Sequence, residues 1–142
     1  MTLEQQVCSL DLAKRLKELG VRQESVCKWV LRYSTWVLWD EGTRSEFETG
    51  AEKEYVSAFT VAELGEMLPK EITRGDITTA KCAEGFEKGR WLVAPIDTND
   101  EEGAHDWNDP AFYGNTEADA RAKMLIHLIE HDTIEADEIN VH

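Results

Sequence analysis

The sequence predicts an α+β fold in which an antiparallel sheet of about five strands packs against three helices. Three segments place apolar residues at helical spacing and begin at a capping residue, which is typical of amphipathic helices. Between them lie short runs rich in β-branched and aromatic residues, which is typical of strands. The length fits one domain, 1–142, and its acidic tail, 132–142, is expected to fray.

The first predicted helix covers about residues 10–19. Ser9 suits the N-cap position, and Asp11 is expected to pair with Arg15 one turn further on. Gly20 suits the left-handed position that often ends a helix. One side of this helix has leucines at helical spacing, namely Leu12, Leu16 and Leu19.

The next segment, residues 26–39, fits two patterns. Its apolar residues match a helical stripe, and they also alternate as in a strand. Eight of its fourteen residues are β-branched or aromatic, which favours two strands at about 25–33 and 35–40. The predicted turn, Ser34-Thr35, contains no Gly, Asn, Asp or Pro.

The middle of the chain predicts a strand and then a helix. Residues 54–59 have the composition of a short strand. Thr60 and Glu63 form a capping-box pattern, which starts a helix that runs to Leu68. Pro69 then stops that helix.

Two further strands, about 77–82 and 90–96, flank a hairpin loop in which Gly89 supplies a positive φ. Residues 97–115 form a long acidic loop. The last helix begins at the capping pattern of Thr116 and ends near His131. Its apolar stripe consists of Ala118, Ala122, Leu125 and Ile129, widened by Met124 and Leu128.

Charge and cysteine content narrow the class of protein. The net charge of −14 argues against nucleic-acid binding. Residues 1–34 differ from the rest, with six Lys/Arg against four Asp/Glu. Cys8, Cys27 and Cys82 form no Cys-x-x-Cys pair, which predicts buried thiols in a reducing compartment. The chain shows no signal peptide or long apolar stretch, so we expect a cytoplasmic protein without a membrane partner.

Two segments resemble metal sites. His127, Glu130 and His131 match the H-x-x-E-H pattern of zinc proteases, but that pattern needs a third ligand from well downstream. We therefore expect two exposed histidines. The segment 97–103 resembles a calcium loop, yet Glu102 stands where that loop needs glycine, and a solvated acidic loop is favoured.

No catalytic constellation stands out. His105 lies near Asp106 and Asp109 without an adjacent Ser or Cys nucleophile. The sequence therefore predicts no catalytic residue, no cofactor and no metal site, and it favours a protein that is not an enzyme. Trp107, in the long loop, is the tryptophan most expected to be exposed and to contact a partner.

Residues 12–32 resemble a helix-turn-helix. The first helix would end at Gly20-Val21, and Gln23-Glu24-Ser25 would begin a second helix in a positively charged segment. Leu16 stands where the motif prefers alanine, and the residues after Val26 prefer a strand. A helix packed on a sheet is therefore the favoured interpretation.

Three stretches, 12–25, 59–69 and 117–126, are similar to small uncharacterised proteins encoded in bacterial phages and prophages. That resemblance implies an accessory protein in a bacterial cytoplasm, and it brings no functional residues with it. We accordingly predict a non-enzymatic accessory protein that binds another protein through its acidic surface or long loop. The alternatives are a DNA-binding regulator that uses residues 12–32 and a small enzyme that uses His105; the sequence does not predict an oligomeric state.

Overall fold

The computed structural model describes residues 2–40, 54–69, 71–72, 75–82, 88–96, 111–131 and 134–136. Four helices lie in this part of the chain: α1 (Leu3–Gln6), α2 (Leu10–Glu18), α3 (Val61–Met67) and α4 (Glu117–Glu130). The same residues form seven strands: β1 (Cys27–Arg32), β2 (Thr35–Asp40), β3 (Glu54–Ala58), β4 (Glu71–Ile72), β5 (Gly75–Lys81), β6 (Trp91–Ile96) and β7 (Phe112–Gly114). The predicted α+β class is confirmed.

The arrangement of the strands differs from the prediction of one sheet of about five strands against three helices. The described strands form two antiparallel sheets, with strand orders β2-β1-β3 and β4-β5-β6-β7. We call them the first and the second sheet. The division lies between β3 and β4, which α3 connects and which do not pair with each other. Hydrophobic periodicity does not reveal which strands will pair.

Residues 26–39 form a hairpin, as the β-branched and aromatic content predicts. In the β1–β2 register, Arg32 pairs with Thr35, so the loop consists of Tyr33 and Ser34. Both have positive φ, 49° and 70°. This is the geometry of a two-residue hairpin loop whose twist matches that of its strands. The turn thus lies one residue earlier than predicted, and it uses residues that rarely adopt this conformation.

The strained turn leads to a prediction about stability. We expect Ser34→Gly to raise the free energy of unfolding by about 1 kcal/mol, because glycine adopts positive φ without the steric cost that a Cβ imposes. Urea denaturation measures the change. The matched control is Thr35→Gly, one residue into β2, which should lower stability; a gain at both positions would contradict the explanation.

The short helix α3 begins as predicted. The amide of Glu63 donates to Thr60 Oγ1 at 3.2 Å, and the amide of Thr60 donates to Glu63 Oε1 at 2.9 Å. Both bonds satisfy amides that a helix start leaves without partners. Leu68 is the C-cap, directly before Pro69. Phe59, between β3 and this helix, is fully buried.

The second sheet contains the predicted hairpin of β5 and β6, and Gly89 has a φ of 86° as expected. Two of its strands were not foreseen by the sequence. β4 has two residues, and β7 has three and lies at the end of the segment predicted as a loop. Elements this short show no measurable periodicity, so only pairing with a neighbour defines them.

Helix α4 lies at the centre of the described fold. One group of its buried residues packs with α2, α3 and the first sheet, and it comprises Ala118, Ala122, Leu125, Ile126 and Ile129. A second group packs with Val93 of the second sheet, and it comprises Ala120, Met124 and Leu128. The predicted stripe is therefore buried. The helix is apolar on two sides because it packs against both sheets.

Contacts around α4 differ in detail from the predicted ones. Ser9 precedes α2 as expected, but its side chain makes no capping bond, and its amide donates to Asp119 Oδ1 at 2.7 Å. Arg15 forms ion pairs with Glu18 and Glu130, whereas Asp11 was its predicted partner. Ile134 and Ala136, at the start of the tail predicted to fray, pack against the core.

Helix α1 was not predicted by its spacing of apolar residues, because it has only four residues. A capping box formed by Thr2 and Gln5 stabilises its first turn.

None of the described helices combines the length and the apolar character that a membrane span requires.

Candidate functional site

The candidate site lies at the edges of the first sheet, where the ammonium groups of three lysines lie over three aromatic rings. We name this set of residues the lysine–aromatic rim; it consists of Lys14, Lys17, Lys28, Trp36, Trp39 and Tyr55. An ammonium within about 6 Å of a ring centroid is attracted to the negative face of the ring. Each of the four pairings is within that distance.

Helix α2 supplies the first half of the rim. Lys14 and Lys17 are three residues apart and so share one side of the helix. The Nζ atom of Lys14 is 4.9 Å from the centroid of Trp36 in β2. The Nζ atom of Lys17 lies 5.6 Å from the ring of Tyr55 in β3 and donates to the Tyr55 carbonyl at 2.9 Å.

The second half of the rim lies on the opposite face of the same sheet. Lys28 and Trp39 are direct cross-strand partners and therefore share a face. The Nζ atom of Lys28 is 5.6 Å from the Trp39 ring and 4.9 Å from the Tyr55 ring. Trp36 faces the other way, since it is three residues from Trp39 in a strand. The rim thus includes one tryptophan on each face of β2, and Tyr55 at the opposite edge of the sheet, in β3.

The rim is positively charged in an acidic chain. Ion pairs between described residues engage Arg15, Arg22 and Arg121, and they do not include the three lysines of the rim. Tyr55 is 45% exposed, and both tryptophans are half-buried. Lysine stems cover apolar rings while the charged ends stay in water. The rim can therefore offer both apolar contact and positive charge to a partner.

Searches against protein-family models, curated proteins and solved structures found no match to this chain. The similarity to phage and prophage proteins therefore stays a prediction.

The helix-turn-helix hypothesis is wrong in its geometry. Cys27–Arg32 is a strand, and Gln23-Glu24-Ser25 begins no helix. Gln23 instead ties the connection to β3, because its Oε1 accepts from the Ser57 amide at 2.7 Å. Strand pairing of Cys27–Arg32 with both β2 and β3 outweighs the helical stripe in the sequence.

The histidines of the H-x-x-E-H pattern lie at the end of α4. Their ring centroids are 4.2 Å apart, and the ring of His127 is 5.1 Å from that of Phe112. His127 is half-buried against β7, so the expectation of two exposed histidines holds for His131 alone. Among the residues described, no three His, Cys, Asp or Glu side chains are grouped to hold a metal ion.

Burial and the neighbouring charge of His131 lower the pKa of His127 below its usual value, although Glu130 opposes this shift. Stability should therefore fall as the pH drops below about 6.5, because the imidazole of His127 takes up a proton more readily in the unfolded chain than in the folded one.

We expect His131→Gln to raise the pKa of His127, because it removes a like charge. An NMR titration measures this, and an unchanged or lower pKa in that variant would contradict it.

The cysteines match their predicted role in part. Cys8 and Cys27 are buried and Cys82 is half-buried, and none of the three is in a disulfide. Burial raises the pKa of Cys8 to about 12, so this thiol stays protonated and unreactive at neutral pH. We assign Cys8 to packing and to no chemistry.

A cavity of about 590 Å³ lies where α3 and α4 begin. Its described lining includes Lys81, Trp91, Thr116 and Glu117. Glu117 is bound to Arg121 at 2.8 Å, so it is not placed as a free acid or base. The hydroxyl oxygens of Thr60 and Thr116, both in the lining, accept from the amides of Glu63 and Asp119 as helix caps.

The remaining predicted features lie outside the described residues. These are the calcium-like segment 97–103, the loop residues His105, Asp106 and Asp109, and Trp107. Sequence reasoning noted the excess of basic residues at the start of the chain but missed the rim itself. The available signal was the interleaving of lysines with tryptophans and tyrosines between residues 14 and 55.

Proposed function

We propose that this chain is a non-enzymatic accessory protein that binds another protein through the lysine–aromatic rim. The observation that supports this is the set of three lysine ammonium groups over one exposed and two half-buried aromatic rings at the sheet edges. Tryptophan and tyrosine dominate the energetic centres of protein interfaces. The positive charge of the rim favours a partner with an acidic contact surface. An accessory role of the phage or prophage kind and a cytoplasmic location belong to the same proposal.

The rim replaces the surface expected from the sequence. The acidic exterior and the segment 97–115 were the expected contacts, and residues 97–110 lie outside the described part of the chain. Acidic residues are spread over most of this chain, which has a net charge of −14. The rim is local, and it groups three lysines with three aromatic rings, whereas Lys81–Trp91 and Arg90–Tyr113 are separate pairs in or next to the second sheet.

Affinity capture tests the proposal. Immobilised wild-type protein and the double variant Lys14→Glu/Lys28→Glu are exposed to nuclease-treated lysate of the native host at low salt. We expect a protein that wild type retains and the double variant loses by about tenfold or more, because the reversed charges repel an acidic surface. Lys88→Glu, an exposed lysine outside the rim, is the matched control and should retain the partner. Identical capture by all three proteins would refute the proposal.

Nucleic-acid binding through the same rim is a second candidate function. The observation that favours it is the alternation of lysines and aromatic rings, because proteins that bind single strands stack bases on aromatics beside cations. A gel shift with oligothymidylate at low salt tests it. No shift, or a shift unaffected by Lys14→Glu/Lys28→Glu, would remove this candidate.

A further inference from the structure

We propose that the outer edge of β2 binds an extended, acidic-apolar segment of a protein partner by adding it as a further strand to the first sheet. This inference rests on the proposed function and names its binding mode. The order β2-β1-β3 makes β2 an edge strand, and no described strand pairs with its outer side. An edge strand offers a row of backbone donors and acceptors to an incoming strand.

The register identifies the backbone groups that face outward. In a two-residue hairpin the pair next to the loop, Arg32 with Thr35, exchanges hydrogen bonds, and such pairs alternate along the ladder. Val37 therefore also bonds inward to β1. The amide and carbonyl groups of Trp36 and Leu38 point away from β1, toward the outer edge of the first sheet.

The sequence of β2 does little to protect this edge. Natural edge strands are commonly blocked by lysine, proline or a bulge. β2 reads Thr-Trp-Val-Leu-Trp-Asp, with one charge at its end, and it pairs with β1 without a bulge. Its residues after Thr35 are all half-buried, as expected of a strand with one side in water. The outward amide and carbonyl groups of Trp36 and Leu38 thus have no partner strand among the described residues.

Charge complementarity selects the occupant. A strand added to β2 lies about 4.8 Å from it and alternates its side chains between the two faces. On one face these side chains would lie beside Trp36, over which Lys14 sits. On the other face they would lie beside Trp39, over which Lys28 sits. A segment with apolar residues and one acidic residue on each face fits both lysines.

The test uses a short fluorescein-labelled peptide of valine and threonine that has one glutamate on each face. We expect saturable binding to wild-type protein, measured by fluorescence anisotropy. N-methylation of two neighbouring central amides should weaken binding about tenfold or more. One of the two amides faces β2 in either register, so a backbone hydrogen bond is lost while the side chains stay unchanged. Replacing the glutamates by lysines should weaken binding to a similar degree.

A matched pair of protein variants tests the edge itself. Leu38→Pro removes an outward amide and leaves the bonds between β1 and β2 in place, whereas Leu38→Val keeps that amide. We expect the proline variant to lose peptide binding about tenfold and the valine variant to keep it. If the proline variant does not fold, the N-methylated peptide with wild-type protein still decides the question.

Hydrogen exchange completes the experiment. The amides of Trp36 and Leu38 should exchange fast in the free protein and slowly with the peptide bound. Equal binding of the N-methylated and parent peptides would overturn strand addition but leave the proposed function standing. Slow exchange in the free protein that depends on its concentration would overturn it in favour of pairing between two copies. Competition by oligothymidylate without slowed exchange would overturn it in favour of nucleic acid.

Discussion

Replacing Phe59 by alanine is expected to lower the free energy of unfolding by about 3–5 kcal/mol. The side chain of Phe59 is fully buried, and it packs in the cluster that joins α2, α3 and α4 to the first sheet. The Phe59 carbonyl accepts from the Cys8 amide at 3.0 Å, which fixes the backbone around the cavity that the substitution would leave. A fixed surrounding cannot collapse into the cavity, so the cost should be in the upper part of the range.

Urea denaturation followed by circular dichroism measures this loss. Glu66→Ala, on the exposed side of α3, is the matched control and should change stability by less than about 0.5 kcal/mol. If the two variants unfold at the same urea concentration, Phe59 does not hold the cluster together.

Gly114→Ala should lower the free energy of unfolding by about 1–3 kcal/mol, the range typical of overpacked sites. A Cβ atom at Gly114 would lie 2.5 Å from the amide nitrogen of Ala120 and 2.9 Å from the carbonyl oxygen of Thr116. Both neighbours are backbone atoms in or next to the first turn of α4, so no side-chain rotation relieves the contact. β7 would have to move away from α4.

The neighbouring residue provides the comparison for this substitution. Asn115 is exposed, and Asn115→Ala should leave stability within about 0.5 kcal/mol of wild type. Thermal unfolding by calorimetry compares the two variants. Equal melting temperatures would show that β7 and α4 do not approach each other this closely.

Features that depend on a few neighbouring residues could be predicted from the sequence. The Thr60–Glu63 capping box and the positive φ of Gly89 are local, and both are present. The strands of residues 26–39 were predictable from composition, although helix remained an alternative. The split into two sheets was not predictable, because periodicity indicates where strands lie and does not indicate that β3 and β4 stay unpaired.

The rim could be predicted only as separate parts. Lys14 and Lys17 were recognisable as basic residues of a helix, and Trp36 and Trp39 as large apolar residues of a strand. Their contacts depend on the hairpin register, which a turn at Tyr33 and Ser34 sets. That turn contains none of the residues that mark such turns in a sequence. Because the turn residues do not indicate a hairpin, the contacts between these lysines and tryptophans could not be predicted.

The position of α4 has a consequence for how the chain is made. All the described strands precede residues 117–130, yet both sheets bury apolar side chains against that helix. During translation, the ribosome releases the strands before the helix that covers them. The nascent chain therefore exposes the apolar faces of both sheets until residues 117–130 emerge. Chaperones that shield nascent chains should associate with these faces until then.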